Sequence, residues 1–150
     1  MLIQTSRFGP VEEVDDQRIM TFKEGLLGFT EHHRFALLQT SPDPVFFWMQ
    51  AVDDPHLAFV VCDPRTFVPD YQVPIRQDDV DALELRDLRD CQVLVIVNNV
   101  NGELTGNLLG PLVVGTHSLC AKQLVLSDKR YGTRYPLMPA EAIEAVAKTA

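Results

Sequence analysis

Cysteine, tryptophan and positive charge are all scarce in this chain. Its 150 residues include three Cys, one Trp and three Tyr, and 13 Lys and Arg stand against 21 Asp and Glu, a net charge of −8. Cys62, Cys91 and Cys120 form an odd, widely spaced set without a CxxC pair. Each lies in or beside an apolar run, so buried thiols in a reducing compartment are expected rather than disulfides. No apolar stretch reaches the ~20 residues of a membrane-spanning helix. The opening Met1-Leu2-Ile3-Gln4-Thr5-Ser6-Arg7 lacks the apolar core of a secretory signal. These absences point to the cytoplasm and away from membranes. The shortage of bases creates a field that repels phosphate, so direct nucleic-acid binding is not expected, whereas encounter with a basic protein is favoured. Repeats, linkers and low-complexity tracts are missing too.

What is present is a well-supplied core. Apolar residues make up 46% of the chain and Phe alone numbers eight, enough for one ordinary domain. Three Asp-Pro pairs punctuate it: Asp43-Pro44, Asp54-Pro55 and Asp63-Pro64. The last two bracket the run 57–62, which is short and rich in strand formers; the prolines stop pairing at its ends and the aspartates close turns. Further strands are expected at 2–8, 18–22, 34–39, 45–51, 92–98, 103–108, 111–116 and 119–126. The run Val93-Leu94-Val95-Ile96-Val97 is continuously apolar, as in a strand covered on both faces, and Asn98-Asn99-Val100-Asn101-Gly102 reads as the turn after it. Gly25-Leu26-Leu27-Gly28-Phe29 is a loop both flexible and apolar. Pro64, Pro69 and Pro74 make 65–75 an extended loop, held to the body by Phe67, Val68 and Tyr71. A helical turn or two follows from residue 77 to 85 or 90, capped by Asp78 or Asp79, with a strand at 80–85 as the alternative. The Ala-rich tail 139–149 reads as a helix. Strands in succession without long helical patterns give an all-β fold: a compact, antiparallel, barrel-like single domain with short helical segments, spanning 1–135, and a helical tail at 136–150.

No chemistry assembles from these residues. The paired carboxylates Asp53/Asp54, Asp78/Asp79 and Glu12/Glu13 are adjacent in sequence, which does not set two carboxyls across a cleft. Cys62 and His56, at opposite ends of one strand, stand roughly 20 Å apart, too far for a nucleophile and its base. His117-x-x-Cys120 is half a zinc pattern, but on a strand an offset of three puts the side chains on opposite faces, and His32-His33 is too loosely placed to complete it. Gly25-x-x-Gly28 lacks the strand and helix of a dinucleotide fold, and Asn107-Leu108-Leu109-Gly110-Pro111 lacks a Walker lysine. No catalytic, cofactor-binding or metal-binding residue is therefore assigned. The remaining pattern, acidic strand ends and apolar loops on a rigid β-body, suits a protein-binding module. Two alternatives stay open: a small-molecule enzyme using a Cys or carboxylate site, and a direct RNA-binding β-domain using Lys122, Lys129, Arg130 and Arg134.

A series of landmarks then narrows the choice. Phe8-Gly9, Phe22-x-x-Gly25-Leu26-x-Gly28-Phe29, Trp48-Met49-Gln50-Ala51, Pro55, Ala58-Phe59, Asp63-Pro64, Phe67, Pro69-x-Tyr71, Asn107-Leu108-x-x-Pro111 and Gln123-x-Val125-Leu126 occur in this order. In order and spacing they resemble the bacterial flagellar assembly factor family that includes FliW, across residues 2–131. Lys23-Glu24 and Leu27 depart from the family's commoner residues, which alters loop stiffness. The resemblance implies a non-enzymatic β-domain that binds the carbon storage regulator, an RNA-binding translational repressor, and also binds flagellin. It further implies a partner switch in which free flagellin draws the factor away and the repressor is released onto flagellin mRNA. From Asp43 to Asp90 there are eleven acids against four bases, a fitting counterpart for a basic repressor. Asp53, Asp54, Asp70, Asp78 and Asp79 are the expected steering groups, and Phe67 and Tyr71 the expected apolar anchors.

Overall fold

A computed structural model describes residues 1–11, 14–39, 42 and 44–139. Two short strands, β1 (Ile3–Thr5) and β2 (Gly9–Val11), form a separate antiparallel ribbon. The remaining strands are β3 (Ile19–Phe22), β4 (Arg34–Leu38), β5 (Phe46–Ala51), β6 (Ala58–Cys62), β7 (Cys91–Val100), β8 (Glu103–Gly106), β9 (Leu112–Gly115), β10 (Cys120–Gln123) and β11 (Tyr135–Pro139). Among the described residues, one helix longer than a single turn, α1 (Gln77–Ala82), lies between β6 and β7.

Seven of these strands close a ring in the order β3-β4-β5-β6-β7-β9-β10 and back to β3. Neighbours run antiparallel except at the β3–β10 seam, where Cys120 lies opposite Thr21 in a parallel pair. The antiparallel barrel expected from the sequence is present with this one parallel seam, and the reason for the seam is parity. An odd number of strands that alternate in direction cannot close without one parallel seam.

Strand β7 makes the closure possible. Its first half, Cys91–Leu94, pairs with β9, and its second half, Val97–Val100, pairs with β8. Strands β8 and β9 are thus one interrupted strand: five residues, 107–111, intervene on their side against Val95 and Ile96 on β7. This break ends β8 at Gly106 rather than at the expected 108, and lets it swing out of the ring to pair with β11. The hairpin tip also lies later than expected. β7 runs on to Val100, and Asn101 (φ 54°) with Gly102 (φ 84°) makes the two-residue turn, whose left-handed pair matches strand twist.

Strand β11 was not among the expected strands, and it contains Pro136 and Pro139. It is an edge strand, where a missing N–H costs little. The boundary expected at 135/136 therefore falls inside a strand, and the sheet continues to Pro139. The helix expected at 139–149 lies outside the described residues beyond Pro139. Residues 77–82 are helical, which excludes the strand reading for 80–85; the N-cap is Arg76, whose backbone N–H donates to the Asp79 carboxylate at 3.0 Å.

Met20, Phe22, Phe35, Met49, Val61, Leu94 and Leu112 fill the ring, and Leu26 enters from the Gly25–Phe29 loop. Outside the ring, β1–β2 covers β3–β4 through Ile3, Val14 and Ala36. The 64–75 loop and the 126–138 segment cover β6–β8 through Val68, Tyr71 and Leu108. Helix α1 and its C-terminal neighbours cover β9–β10 through Leu83, Val113 and Leu124. Gly25 is required by geometry, since its φ is +68° and a Cβ there would meet the Thr30 Cα at 2.7 Å. Gly25→Ala should therefore destabilise the fold by about 2 kcal/mol, from the left-handed backbone and the clash together, read as a lower midpoint in urea at unchanged m-value.

Candidate protein-binding site

The acids that are neighbours in sequence are separated by the fold into three places. Asp53 and Asp54 occupy the β5–β6 turn. Asp70 lies on the 64–75 loop near Arg130, whose pKa is raised first by its hydrogen bonds to Asp128 and last by Asp70. Asp78 and Asp79 lie on α1, which packs against β10, three strands round the ring from β5.

Local chemistry defines each group. Asp54 accepts the His56 N–H at 2.9 Å and Asp63 accepts the Arg65 N–H at 2.9 Å, so both aspartates close turns at Asp-Pro positions as the sequence suggests. Asp53 accepts from His32 Nδ1 at 3.0 Å. That hydrogen bond is the main cause that raises the His32 pKa and lowers that of Asp53, with Asp54 and Glu31 adding to the effect on His32. Beneath the turn, buried Gln50 donates through Nε2 to the carbonyls of Asp54 (2.9 Å) and Leu57 (3.1 Å), which sets the shape of the turn.

Two expected site residues are corrected. Tyr71 is 1% exposed, and its hydroxyl donates to the Leu108 carbonyl at 2.6 Å. It ties the loop to the 107–111 interruption and presents no ring to a partner. Asp79 is buried at the foot of α1, where it accepts from Arg76 and from Lys122 Nζ at 3.1 Å, so its charge is spent inside the molecule. Asp53, Asp70 and Asp78 are exposed and Asp54 is half-buried. Phe67 is half-buried and stacks on Phe46 with ring centroids 5.8 Å apart.

That stack is one end of an aromatic row of which only Phe67 was expected as an anchor. Alternation along β5 sends Phe47, Met49 and Ala51 into the ring and Phe46, Trp48 and Gln50 outward. Trp48 meets the edge of Phe8 at 6.0 Å, and the Arg7 guanidinium sits 4.0 Å from its ring centre. Phe67, Phe46, Trp48 and Phe8 thus follow one another along the outer face of β5. The period-two spacing of Phe46 and Trp48 was the available signal; nothing in the local sequence brings Phe8 or Phe67 to them.

Chemistry by a thiol finds little support in this arrangement. Burial pushes the Cys62 thiol up to about 12, with Asp63 adding to the effect, which leaves it protonated and inert. Burial also raises Cys91 and Cys120. His117 Nε2 lies 3.8 Å from Asp90, while the Cys120 thiol donates to Glu84 at 3.1 Å. Among the described residues, no group of three His, Cys, Asp or Glu could hold a metal ion. The expected basic group is partly spent as well, because Lys122 pairs with Asp79 and Arg130 with Asp128 at 2.7 Å. No helix among the described residues is long and apolar enough to cross a membrane.

A small seven-stranded barrel with covered flanks, acidic turns and an aromatic outer face defines a single all-β domain. The family model described as FliW protein matches residues 2–137. The flagellar assembly factor FliW of Treponema denticola is 36% identical over 140 residues, covering 92% of this chain and 94% of that one. The same factor from Bdellovibrio bacteriovorus is 37% identical over 139 residues, covering 91% and 79%. A crystal structure of the flagellar assembly factor FliW superposes with a TM-score of 0.82 at 30% identity, covering 93% of this chain and 98% of the other. The chain belongs to the FliW family of flagellar assembly factors.

Three measurements check these assignments. Asp53→Asn should lower the His32 pKa toward the ordinary histidine value in an NMR titration. The sign for stability follows: a histidine raised in the folded state gives its full contribution below the unfolded pKa and loses it as pH rises through the folded one. The difference in stability between wild type and Asp53→Asn should therefore shrink as pH rises through that range. Cys62 should also resist a thiol reagent in the native protein at pH 8 and react on unfolding; native labelling at the rate of a free thiol would contradict its burial.

Proposed function

We propose that this chain is a non-enzymatic cytoplasmic regulator that binds the carbon storage regulator and flagellin as alternative partners. Holding the repressor, it relieves repression of flagellin mRNA; holding flagellin, it releases the repressor. The observation that carries this reading is the unequal use of charge. Asp53, Asp70 and Asp78 point to solvent, whereas half of the basic group expected for RNA contact, Lys122 and Arg130, is neutralised by neighbouring aspartates. Such a surface favours a basic protein over a phosphate backbone. Bound beside an RNA site, its field would discourage RNA from returning even where the site is not covered.

Mixed with the purified repressor, the chain should form a stoichiometric complex and abolish the shift of a flagellin leader RNA on a gel, and added flagellin should restore the shift. No complex and no loss of RNA binding would reject the reading; a shift by the chain alone would favour the RNA-binding alternative. Steering by α1 is tested at Asp78, because reversal of buried Asp79 would disturb the fold. Asp78→Lys should slow association with the repressor about two- to five-fold at low ionic strength and much less at high salt. An unchanged association rate at low salt would remove α1 from the encounter surface.

A further inference from the structure

We propose that the hollow between the Gly25–Phe29 loop and the 107–111 interruption docks the second partner, and that it takes an apolar peptide segment bearing a carboxylate. This rests on the reading that the chain serves two partners, and it adds where the second is held and by what chemistry. The hollow follows from ring closure. Where β8 leaves the ring, residues 107–111 cross in place of a strand, and a cavity of about 290 Å³ opens beside them. Leu26, Phe59 and Ile96 of the ring core line its apolar side. Phe29 meets the edge of Phe59 at 5.2 Å, and with Leu27, 64% exposed, it carries this apolar lining out to the surface. Gln123 holds the two walls in register: its Oε1 accepts the Leu27 N–H at 2.9 Å, and its Nε2 donates to the Gly110 carbonyl at 3.1 Å. A Cβ at Gly110 would meet Asn107 Nδ2 at 2.7 Å and Gln123 Nε2 at 2.9 Å, so this glycine makes room for both amides. The cavity is therefore formed before any partner arrives.

Charge, hydrogen bonding and size select the occupant. Arg134 is the one charged residue in the lining, and no Asp or Glu accompanies it there. It is exposed and, among the described residues, enters no ion pair. Lys23 and Glu24 stand on the other side of Leu27 and offset each other. A lone guanidinium beside an apolar wall suits a carboxylate carried on an apolar segment. Asn107 also lines the cavity, and its Oδ1 is buried without a hydrogen-bond partner, the one such side-chain atom among the described residues. A buried acceptor is costly to leave unmet, and a peptide N–H supplies the missing donor. The volume lies at the lower end of ligand cavities and suits one anchoring side chain with its backbone. One short segment thus meets all three demands, with its carboxylate on Arg134, its N–H on Asn107 and its apolar side chain against Phe29 and Phe59. A basic repressor fits poorly, since its cations would face Arg134 with no acid to receive them. RNA fits poorly too, because it would bring many phosphates to one cation on a chain of net charge −8.

The test uses the intact chain with purified flagellin monomer, and the purified carbon storage regulator as the comparison. Arg134→Glu should weaken flagellin binding about tenfold or more and leave repressor binding within about twofold. Leu27→Ala and Asn107→Ala should each weaken flagellin binding about three- to ten-fold. Arg134 and Leu27 are exposed, so their variants should keep the circular dichroism spectrum of the unaltered chain. Unchanged flagellin binding by Arg134→Glu and Leu27→Ala, in a chain that otherwise binds flagellin, would overturn the site and leave the two-partner reading intact. Equal loss of both partners would overturn the assignment of the hollow to the second. No flagellin complex with the unaltered chain would reject the partner and the site together. Sedimentation showing a dimer that Arg134→Glu dissolves would give the hollow to a second copy, and an RNA gel shift that Arg134→Glu abolishes would give it to RNA; either overturns the proposal.

Discussion

Closure of the ring along β7 is the constraint on which the rest of the molecule depends. Seven strands must wrap around Met20, Phe22, Phe35, Met49, Val61, Leu94 and Leu112 with no free edge between them. The ten-residue β7 does this by taking β6 on one side while dividing its other side between β8 and β9. The division obliges the chain to break between Gly106 and Leu112, and the break must then be stabilised. Leu108 fills the outer cluster, its N–H donates to the Gly132 carbonyl at 3.1 Å, and its own carbonyl receives the Tyr71 hydroxyl. Buried backbone groups in an irregular segment need such partners, since leaving one unmet costs about 1–3 kcal/mol.

A ring this small buries one face of each strand, so the outer faces need layers of their own. Three are built from segments that looked like connections: the β1–β2 ribbon, the proline-rich 64–75 loop and α1 with its flanks. The covering layers decide where function can be displayed. They turn Tyr71 inward, engage Asp79 with Lys122, and leave the outer face of β5 between two covers. Burial holds the Cys62 thiol protonated, and Asp54 and Asp63 close turns, in a chain that belongs to the FliW family of flagellar assembly factors.

Most strand positions were legible because they rest on local signals. The strands β4, β5 and β6 fall within a residue or so of expectation, since Asp-Pro turns and alternating Phe, Val and Trp act over a few residues. The expectations that failed involve partners far away in the chain. β11 contains two prolines and is a strand only because β8 offers it an edge. Strand β8 is short only because β9 must reach the same side of β7. Tyr71 and Asp79 carry the same lesson at the site: their inward positions are fixed by a carbonyl at Leu108 and an ammonium at Lys122, both distant in the chain.

The sequence by itself determined the class of fold, the closing of turns by Asp54 and Asp63, the acidic character and, through ordered landmarks, the family. These follow from composition and short-range pattern, which act before the chain is folded. Only the tertiary structure decided the parallel seam of the ring, the division of one acidic stretch among three surfaces, and the meeting of Phe8, Trp48, Phe46 and Phe67 on one face. The physical reason is that these depend on ring closure and on which segments cover which strands. A local sequence window records neither, because the contacting residues are separated by tens of positions and are joined by packing alone.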